Sequence, residues 1–362
     1  MDHGPKRPTR RGRGAGVDPP NRFERTHTEL DLDATADDVE YLESLANPAT
    51  EYLPDRSRSV VSENDSPDVG FRFSINPYRG CVHGCSYCYA RPSHEYLGYS
   101  AGLDFETKIL VKHEAPELFR EFLARPSWVP ELIALSGVTD PYQPAERHFE
   151  LTRGCLLVAL ECRQPISLIT KNALIRRDLE LLREMASLDL IHVNISLTTL
   201  DAALSRDMEP RASLPSSRLK AMAELSAAGI PVRVMTAPIV PGLNDQEIPA
   251  LLRAARDAGA RQAGMTILRL PSTVEPVFVD WLERMRPDRA EKVLGRLRRI
   301  HSGRLNTNRF GKRMTGTGEL SEQIVGMFKL FRSREGLDGP LPPYDFSRFR
   351  APLPTRGQLR LF

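Results

Sequence analysis

Three cysteines stand within eight residues, Cys81-Val82-His83-Gly84-Cys85-Ser86-Tyr87-Cys88, and they are the residues of this chain best suited to chemistry. Cys155 and Cys162 lie far downstream, so the cluster is no part of a disulfide framework. Thiolates spaced this closely on a short loop point to one soft metal centre. Two centres fit. Zinc would need a fourth protein ligand, for which His83, His94 and His113 are at hand. An iron–sulfur cube held by three cysteines would keep one iron without a protein ligand, because ordinary ferredoxin cubes use four. An open iron is useful only if something else binds there.

A site of this kind needs a framework, and the hydrophobic pattern supplies one. Strands are predicted over residues 71–76, 132–136, Ile166–Thr170, 191–197, 232–236 and 265–270. Helical spacing separates them over 117–123, Leu151–Cys162, 174–185, 218–228 and 248–258, with Pro215 opening the fourth and Gly229 closing it. Six strands alternating with helices argue a parallel sheet with right-handed crossovers. The expected fold is α/β, an incomplete (β/α)6 TIM-like barrel, open on one side to admit a large substrate. In such barrels chemistry sits at the C-terminal ends of the strands. The cysteine loop follows the first strand, so segments after the other strands should face it. They include Ser136-Gly137-Val138-Thr139-Asp140, Thr170-Lys171-Asn172, Ser196-Leu197-Thr198 and Ala237-Pro238-Ile239-Val240-Pro241-Gly242-Leu243-Asn244. Each is polar or shaped by Pro and Gly directly after an apolar strand.

Outside this core, the expected division is 1–65 a largely disordered N-terminal extension, 66–275 the core, 276–345 a basic helical extension and 346–362 an extended tail. The extension begins basic, with Lys6, Arg7, Arg10, Arg11 and Arg13, and turns acidic from Glu29, where loops and one short helix are expected. The net charge of +3 names no partner by itself, so the distribution matters more. Between Trp281 and Arg313 basic residues dominate, and Lys292, Arg296 and Arg299 share one helix face, a stripe suited to phosphates. No apolar run approaches the ~20 residues needed to span a bilayer, and the first residues are charged, not apolar. Free cysteines and an oxygen-sensitive centre fit a reducing cytoplasm.

The pattern Cys-x3-Cys-x-aromatic-Cys, with Tyr87 as the aromatic, resembles the radical SAM superfamily. Asn76-Pro77-Tyr78-Arg79-Gly80-Cys81, Cys88-Tyr89-Ala90-Arg91, the stretch from Ser136 to Glu146, Thr170-Lys171-Asn172 and Glu209-Pro210-Arg211 are similar to the subgroup related to spore photoproduct lyase, often labelled "DNA repair photolyase-like". Arg11-Gly12-Arg13-Gly14-Ala15 and Asn21-Arg22-Phe23-Glu24 resemble a bacterial branch of it. The resemblance implies that Cys81, Cys85 and Cys88 hold a [4Fe–4S] cluster and that S-adenosylmethionine fills the open iron. It also implies that Tyr87 packs on adenine and that Ser136, Thr139 and Asp140 meet the methionine amino group. Lys171, Ser196 and Arg211 are the candidates for the carboxylate and the ribose, a cation suiting a carboxylate through a charge-assisted bond.

What such a protein does follows from the cofactors: reductive cleavage of S-adenosylmethionine and abstraction of a substrate hydrogen by the 5′-deoxyadenosyl radical. A flavodoxin- or ferredoxin-type electron donor is implied. The nucleic-acid reading, repair or modification of DNA or RNA, stands beside modification of a protein or metabolite and beside a non-enzymatic redox sensor. Spore photoproduct lyase carries a further cysteine near the second strand, and residues 132–140 contain none, so thymine-dimer cleavage is doubtful. Tyr89 and Tyr142 are the available substitutes as hydrogen donor. Cys155 and Cys162, seven apart on one helix face, read as core. The final residues, Gln358-Leu359-Arg360-Leu361-Phe362, resemble the peptide that docks into the replicative sliding clamp: a glutamine anchor and an aliphatic–aromatic pair on a tether.

Overall fold

The apolar runs become strands because their Ile, Val and Leu residues fit a sheet buried on both faces. In a computed structural model, which describes residues 12–24, 43 and 46–352, they are β1 (Glu51–Pro54), β2 (Val61–Glu63), β3 (Phe73–Ile75), β4 (Tyr78–Arg79), β5 (Lys108–Val111), β6 (Ile133–Leu135), β7 (Ile166–Thr170), β8 (Ile191–Ser196), β9 (Val232–Ile239) and β10 (Gln262–Ile267). Seven form one sheet in the order β10-β9-β8-β7-β6-β3-β2. The six from β3 to β10 pair in parallel, each beside its successor, and β2 adds antiparallel to β3. The two ends do not pair with each other, so the sheet is the expected incomplete barrel.

Helices return the chain between strands: α1 (Ala115–Leu123), α2 (Leu151–Cys162), α3 (Leu179–Ser187), α4 (Ala202–Met208), α5 (Pro215–Ala227) and α6 (Ile248–Asp257); after β10 follow α7 (Val274–Met285), α8 (Pro287–Ile300) and α9 (Glu319–Arg334). Proline at the first or second position opens α5, α6 and α8, where a missing N–H costs nothing. Val193, Ile195, Val232 and Val234 share one core with Leu182, Met222, Leu225 and Leu251. Each such side chain contributes roughly 1.5–3 kcal/mol by burial. Cys155 and Cys162 of α2, both 1% exposed, belong to that core, as their spacing predicts. No helix among the described residues is long and apolar enough to cross a membrane.

Three features depart from the expectation. The first strand does not run straight into the cysteine loop: the chain turns at Asn76 and Pro77 into β4, which joins a second sheet ordered β1-β5-β4. Residues 46–65 supply β1, parallel to β5, and β2; these edge strands are short and largely exposed, so composition hides them. Residues 12–24 are packed, not a disordered arm: Arg13, Ala15 and Asn21 are buried. The rest of the basic arm, most of the acidic stretch and the Gln358-to-Phe362 peptide lie outside the described residues.

The open side of the sheet is also less bare than six isolated units would leave it. An unpaired strand edge is a liability, and β10 covers its own: Ile267 N–H donates to Met314 O (2.8 Å) and Ala263 N–H to Leu337 O (2.9 Å). From there Arg313 pairs with Asp68, just before β3, and Gly311 N–H donates to the same carboxylate (2.7 Å). The C-terminal segment thus bridges the two ends of the sheet.

Candidate metal centre

The cysteine loop begins where β4 ends, and each of its sides is fastened by backbone. Cys81 N–H donates to Phe105 O (2.8 Å) and Ser86 N–H to Met208 O (3.0 Å). Val82 N–H donates to Gln143 Oε1 (2.9 Å), and the same amide donates back to Gly80 O (3.1 Å). Gly84 takes φ +63°, and a β-carbon there would lie 2.8 Å from Glu106 Oε2, so glycine is required twice over. Below the loop, Arg91 is fully buried and donates from Nε (3.1 Å) and Nη2 (2.8 Å) to the Cys85 carbonyl, and from Nη1 to Ala101 O and Gly102 O. Its charge is met by Glu106, also fully buried.

Cys81 and Cys85 are buried and Cys88 is half-buried. Burial pushes the Cys81 thiol up to about 12, and burial followed by the Glu209 charge pushes Cys85 well above its ordinary value, with Lys171 acting the other way. Metal-free, these groups are protonated thiols, and taking up a metal releases their protons.

Two of the three histidines that could make this a zinc site, His83 and His94, have ring nitrogens engaged by other groups. His83 accepts from Asn172 Nδ2 at Nε2 (3.1 Å) and turns Nδ1 to Asp140 Oδ2 (3.5 Å); burial lowers its pKa. His94 Nε2 meets Lys108 O (2.9 Å), and His113 stands edge-on to Phe149 at 5.4 Å. Among the described residues no three His, Cys, Asp or Glu side chains converge to hold a metal ion. A single zinc would need every thiolate about 2.3 Å from it. A cube spreads its cysteines over separate irons, so three thiols on one loop without a fourth ligand fit a cube with an open corner.

Behind the loop, at the strand ends, lies a compact set of buried charges. Tyr87, 6% exposed, donates its hydroxyl to Glu209 Oε1, and Thr198 Oγ1 donates to the same oxygen (2.8 Å). Arg218, reaching in from α5, pairs with Glu209 Oε2 and donates to Ser196 O (3.0 Å) and Ser213 O (2.6 Å). Burial alone would raise the Glu209 pKa; Arg218, Lys171 and the Tyr87 hydroxyl hold it at about 2. Lys171 Nζ lies 5.8 Å from the Tyr87 ring centre and has no ion pair among the described residues. Burial works against its charge, yet Cys85 when ionised and the Glu209 carboxylate raise its pKa above the ordinary value.

The residues picked from the sequence divide into two groups. Cys81, Cys85, Cys88, Tyr87, Lys171 and Asp140 gather at the strand ends. Asp140 braces them: Oδ1 accepts from Thr170 Oγ1 (2.7 Å) and Tyr142 N–H (2.9 Å), Oδ2 from Lys171 N–H (2.7 Å). Ser136, at φ 142°, donates to Thr139 O (3.0 Å), and Thr139 donates to Tyr78 O (2.9 Å). Ser196 is buried beside Arg218. Arg211 touches the cysteine loop through its backbone, N–H to His83 O (3.3 Å), while its side chain turns to Gly12 O (3.3 Å). Of the two tyrosines, Tyr142 is fully buried with its hydroxyl on Asp178 (2.9 Å), whereas Tyr89 is 54% exposed with its hydroxyl on Gly137 O (2.5 Å). Sequence reading missed Arg218 and Glu106. Arg91 and Glu209 sat in quoted motifs without a role.

A family model described as the Radical SAM superfamily matches residues 75–255. An uncharacterised protein of Mycobacterium tuberculosis is 40% identical over 220 residues, covering 60% of this chain and 65% of its own. One from Methanocaldococcus jannaschii is 29% identical over 201 residues, 56% of this chain and 72% of its own. The chain thus spans under two thirds of the mycobacterial relative. Among solved structures, a mutant of spore photoproduct lyase superposes with TM-score 0.59 at 14% identity over 87% of this chain and 86% of that one. A second mutant, with bound AdoMet and dinucleoside spore photoproduct, gives 0.58 at 14% over 87% and 85%. At that identity the likeness is one of fold.

Proposed function

Because this chain belongs to the radical SAM superfamily, whose members use a [4Fe–4S] cluster and S-adenosylmethionine, we propose that Cys81, Cys85 and Cys88 hold that cluster in an enzyme acting on an anionic substrate, nucleic acid first. The observation that carries the assignment is the donor set: three thiols on one loop at the strand ends, with the ring nitrogens of His83 and His94 engaged by other groups. When bound, the two cofactors supply reductive cleavage of a sulfonium bond and a carbon radical that takes hydrogen from an unactivated C–H bond. The chain's own work is orientation and exclusion of water. Lys171 is charged and unpaired among the described residues, and its ammonium suits the methionine carboxylate, with Ser196 at the end of the neighbouring strand β8. Glu209, fixed by Arg218, holds the Tyr87 hydroxyl and so sets the ring plane against which adenine would stack.

Support for an anionic substrate comes from the mouth of the site. Arg269, directly after β10, is half-buried with Nε unpartnered, and burial together with the neighbouring Arg313 lowers its pKa. It lies within electrostatic reach of the exposed Tyr89. Arg298 and Arg304, which line a pocket with Leu270 and Ser272 just beyond β10, carry no ion pair among the described residues. One observation favours the protein or metabolite reading: Arg296 of the predicted stripe is tied to Asp245 (2.8 Å), as Arg286 is to Asp207, which trims the free positive charge.

Anaerobic reconstitution with iron and sulfide, then dithionite and S-adenosylmethionine, should yield 5′-deoxyadenosine that a Cys81/Cys85/Cys88→Ala variant does not make. Binding of single- and double-stranded DNA and RNA across a salt series tests the substrate class, since phosphate contacts make the logarithm of the affinity fall linearly with the logarithm of salt concentration. Binding indifferent to salt favours a protein or metabolite. Docking of the Gln358-to-Phe362 peptide on the sliding clamp is a separate proposal, resting on its residue pattern alone. A pull-down in which its deletion changes nothing removes it.

A further inference from the structure

Residues 12–24 have no part in that reading, yet they are seated on the cysteine loop itself. Gly14 and Ala15 donate their N–H groups to Glu106 Oε2 (3.1 Å) and Oε1 (2.8 Å). Glu106 pairs with Arg91, and Arg91 holds the Cys85 carbonyl, so the segment reaches Cys85 through two fully buried side chains. It also touches the loop directly. A β-carbon on Gly14 would fall 1.9 Å from the Gly84 carbonyl oxygen and 3.0 Å from Ser86 N, a fit that no other residue type can make. Arg13 completes the seat. Its guanidinium donates to Glu106 O (3.1 Å), Pro48 O (2.9 Å) and Thr50 Oγ1 (3.1 Å), so this arginine is a buried strut and not a solvated phosphate contact.

The far end of the segment is anchored just as firmly. Asn21 donates to Glu95 O (3.0 Å), Arg22 pairs with Glu95 (2.8 Å), and Glu95 accepts from Thr273 Oγ1 (3.1 Å) at the entrance to α7. Between the anchors, a β-carbon on Gly16 would lie 2.3 Å from Asp280 Oδ2 in α7. The two motifs that open the chain therefore have a physical content: small residues where the backbone meets the loop, and an Asn-Arg pair where it is tied down.

We propose that Gly14, Ala15, Glu106 and Arg91 are positioning residues for the cysteine loop, and that residues 12–24 form a strap whose seating fixes Cys85 from outside. A buried carboxylate needs donors on both oxygens. Lifting the strap takes two from Glu106, leaves that charge to Arg91 alone, and draws the guanidinium away from the Cys85 carbonyl. The consequence for a bound cluster rests on the proposed function; the coupling of strap to loop does not.

Hydrogen exchange on the intact, metal-free chain tests the coupling without any variant. Peptides covering 12–16 and 83–88 should lose protection together as denaturant rises below the unfolding range. A strap that opens well before an unmoved loop overturns the proposal. Gly14→Val sharpens it: alkylation of Cys81 and Cys85 should quicken at least tenfold while Cys155 and Cys162 keep their rates. Unchanged loop reactivity in that variant also overturns it, and should the variant fail to fold, the exchange result on the intact chain decides. Coupled exchange in a protein that takes up no iron would sink the cluster assignment and leave the strap standing.

Discussion

Cys85 and Cys155 are both buried thiols whose pKa burial raises, yet they live in different company. Cys155 on α2 belongs to the main apolar core with Leu123, Leu156 and Ala159, although the buried Glu146 and Lys112 also act on it from nearby. Around Cys85 stand Glu209, Lys171 and, on its own carbonyl, Arg91 paired with Glu106. Burial does not separate a reactive cysteine from a packed one. Buried charge alone does not either, since Glu146 acts on Cys155; what sets Cys85 apart is its place among three thiols on one loop, with the buried Arg91–Glu106 pair fastened to its own carbonyl.

Replacing one thiol in each region should give the widest contrast. Cys85→Ala should drop iron content after reconstitution to background, whereas Cys155→Ala should keep full iron and lose roughly 1 kcal/mol of stability, as for one buried group. Iron per chain and a denaturant midpoint read both, and equal iron in the two variants would collapse the distinction.

Next in size is Glu209→Ala, which strands Arg218 in a dry site and should cost about 3–5 kcal/mol by urea unfolding. Truncating Asp288, whose partner Arg289 is exposed, should cost at most about 1 kcal/mol. Similar losses would mean that the charges behind the loop are better hydrated than their burial indicates.

Acid should find the same residue. Glu209 has a folded pKa of about 2 against an ordinary 4.5, so the stability it contributes is fully present above about 4.5 and is lost as pH falls toward 2. In Glu209→Gln that part of the acid slope should vanish, while a Cys155→Ala chain keeps it. The smallest effect belongs to Tyr87→Phe: Arg218 and Thr198 still hold Glu209, so the loss should be about 1 kcal/mol, seen as a modest shift in the thermal midpoint.

The sheet is legible because hydrophobic period and strand length are local properties. Ile166–Thr170 and Leu151–Cys162 end where the residue pattern puts them. The cysteine loop is legible because three thiols in eight residues are rare in packing. What could not be read is what pairs across distance. Arg91 and Glu106 are two charges among many, fifteen residues apart, and nothing local says that both are dry. Arg218 sits inside a helical pattern that predicts only its backbone. Arg13, in a run of basic residues, reads as a solvated arm because its partners at Pro48 and Glu106 are far along the chain. Arg211 was favoured for its motif, although it is Arg218 that enters the buried set.

The strap also imposes an order of events during synthesis. Gly14 leaves the ribosome early, but Glu106 lies 92 residues later, and the Arg22 contact at Ser272 waits for 250 more residues than its own position. Contacts so distant along the chain form late, since the intervening loop must close first. A nascent chain therefore exposes all three loop thiols through most of its translation. On the proposed assignment of a cluster to these thiols, the interval for iron and sulfide to enter is widest before the last third is made and narrows as that third arrives.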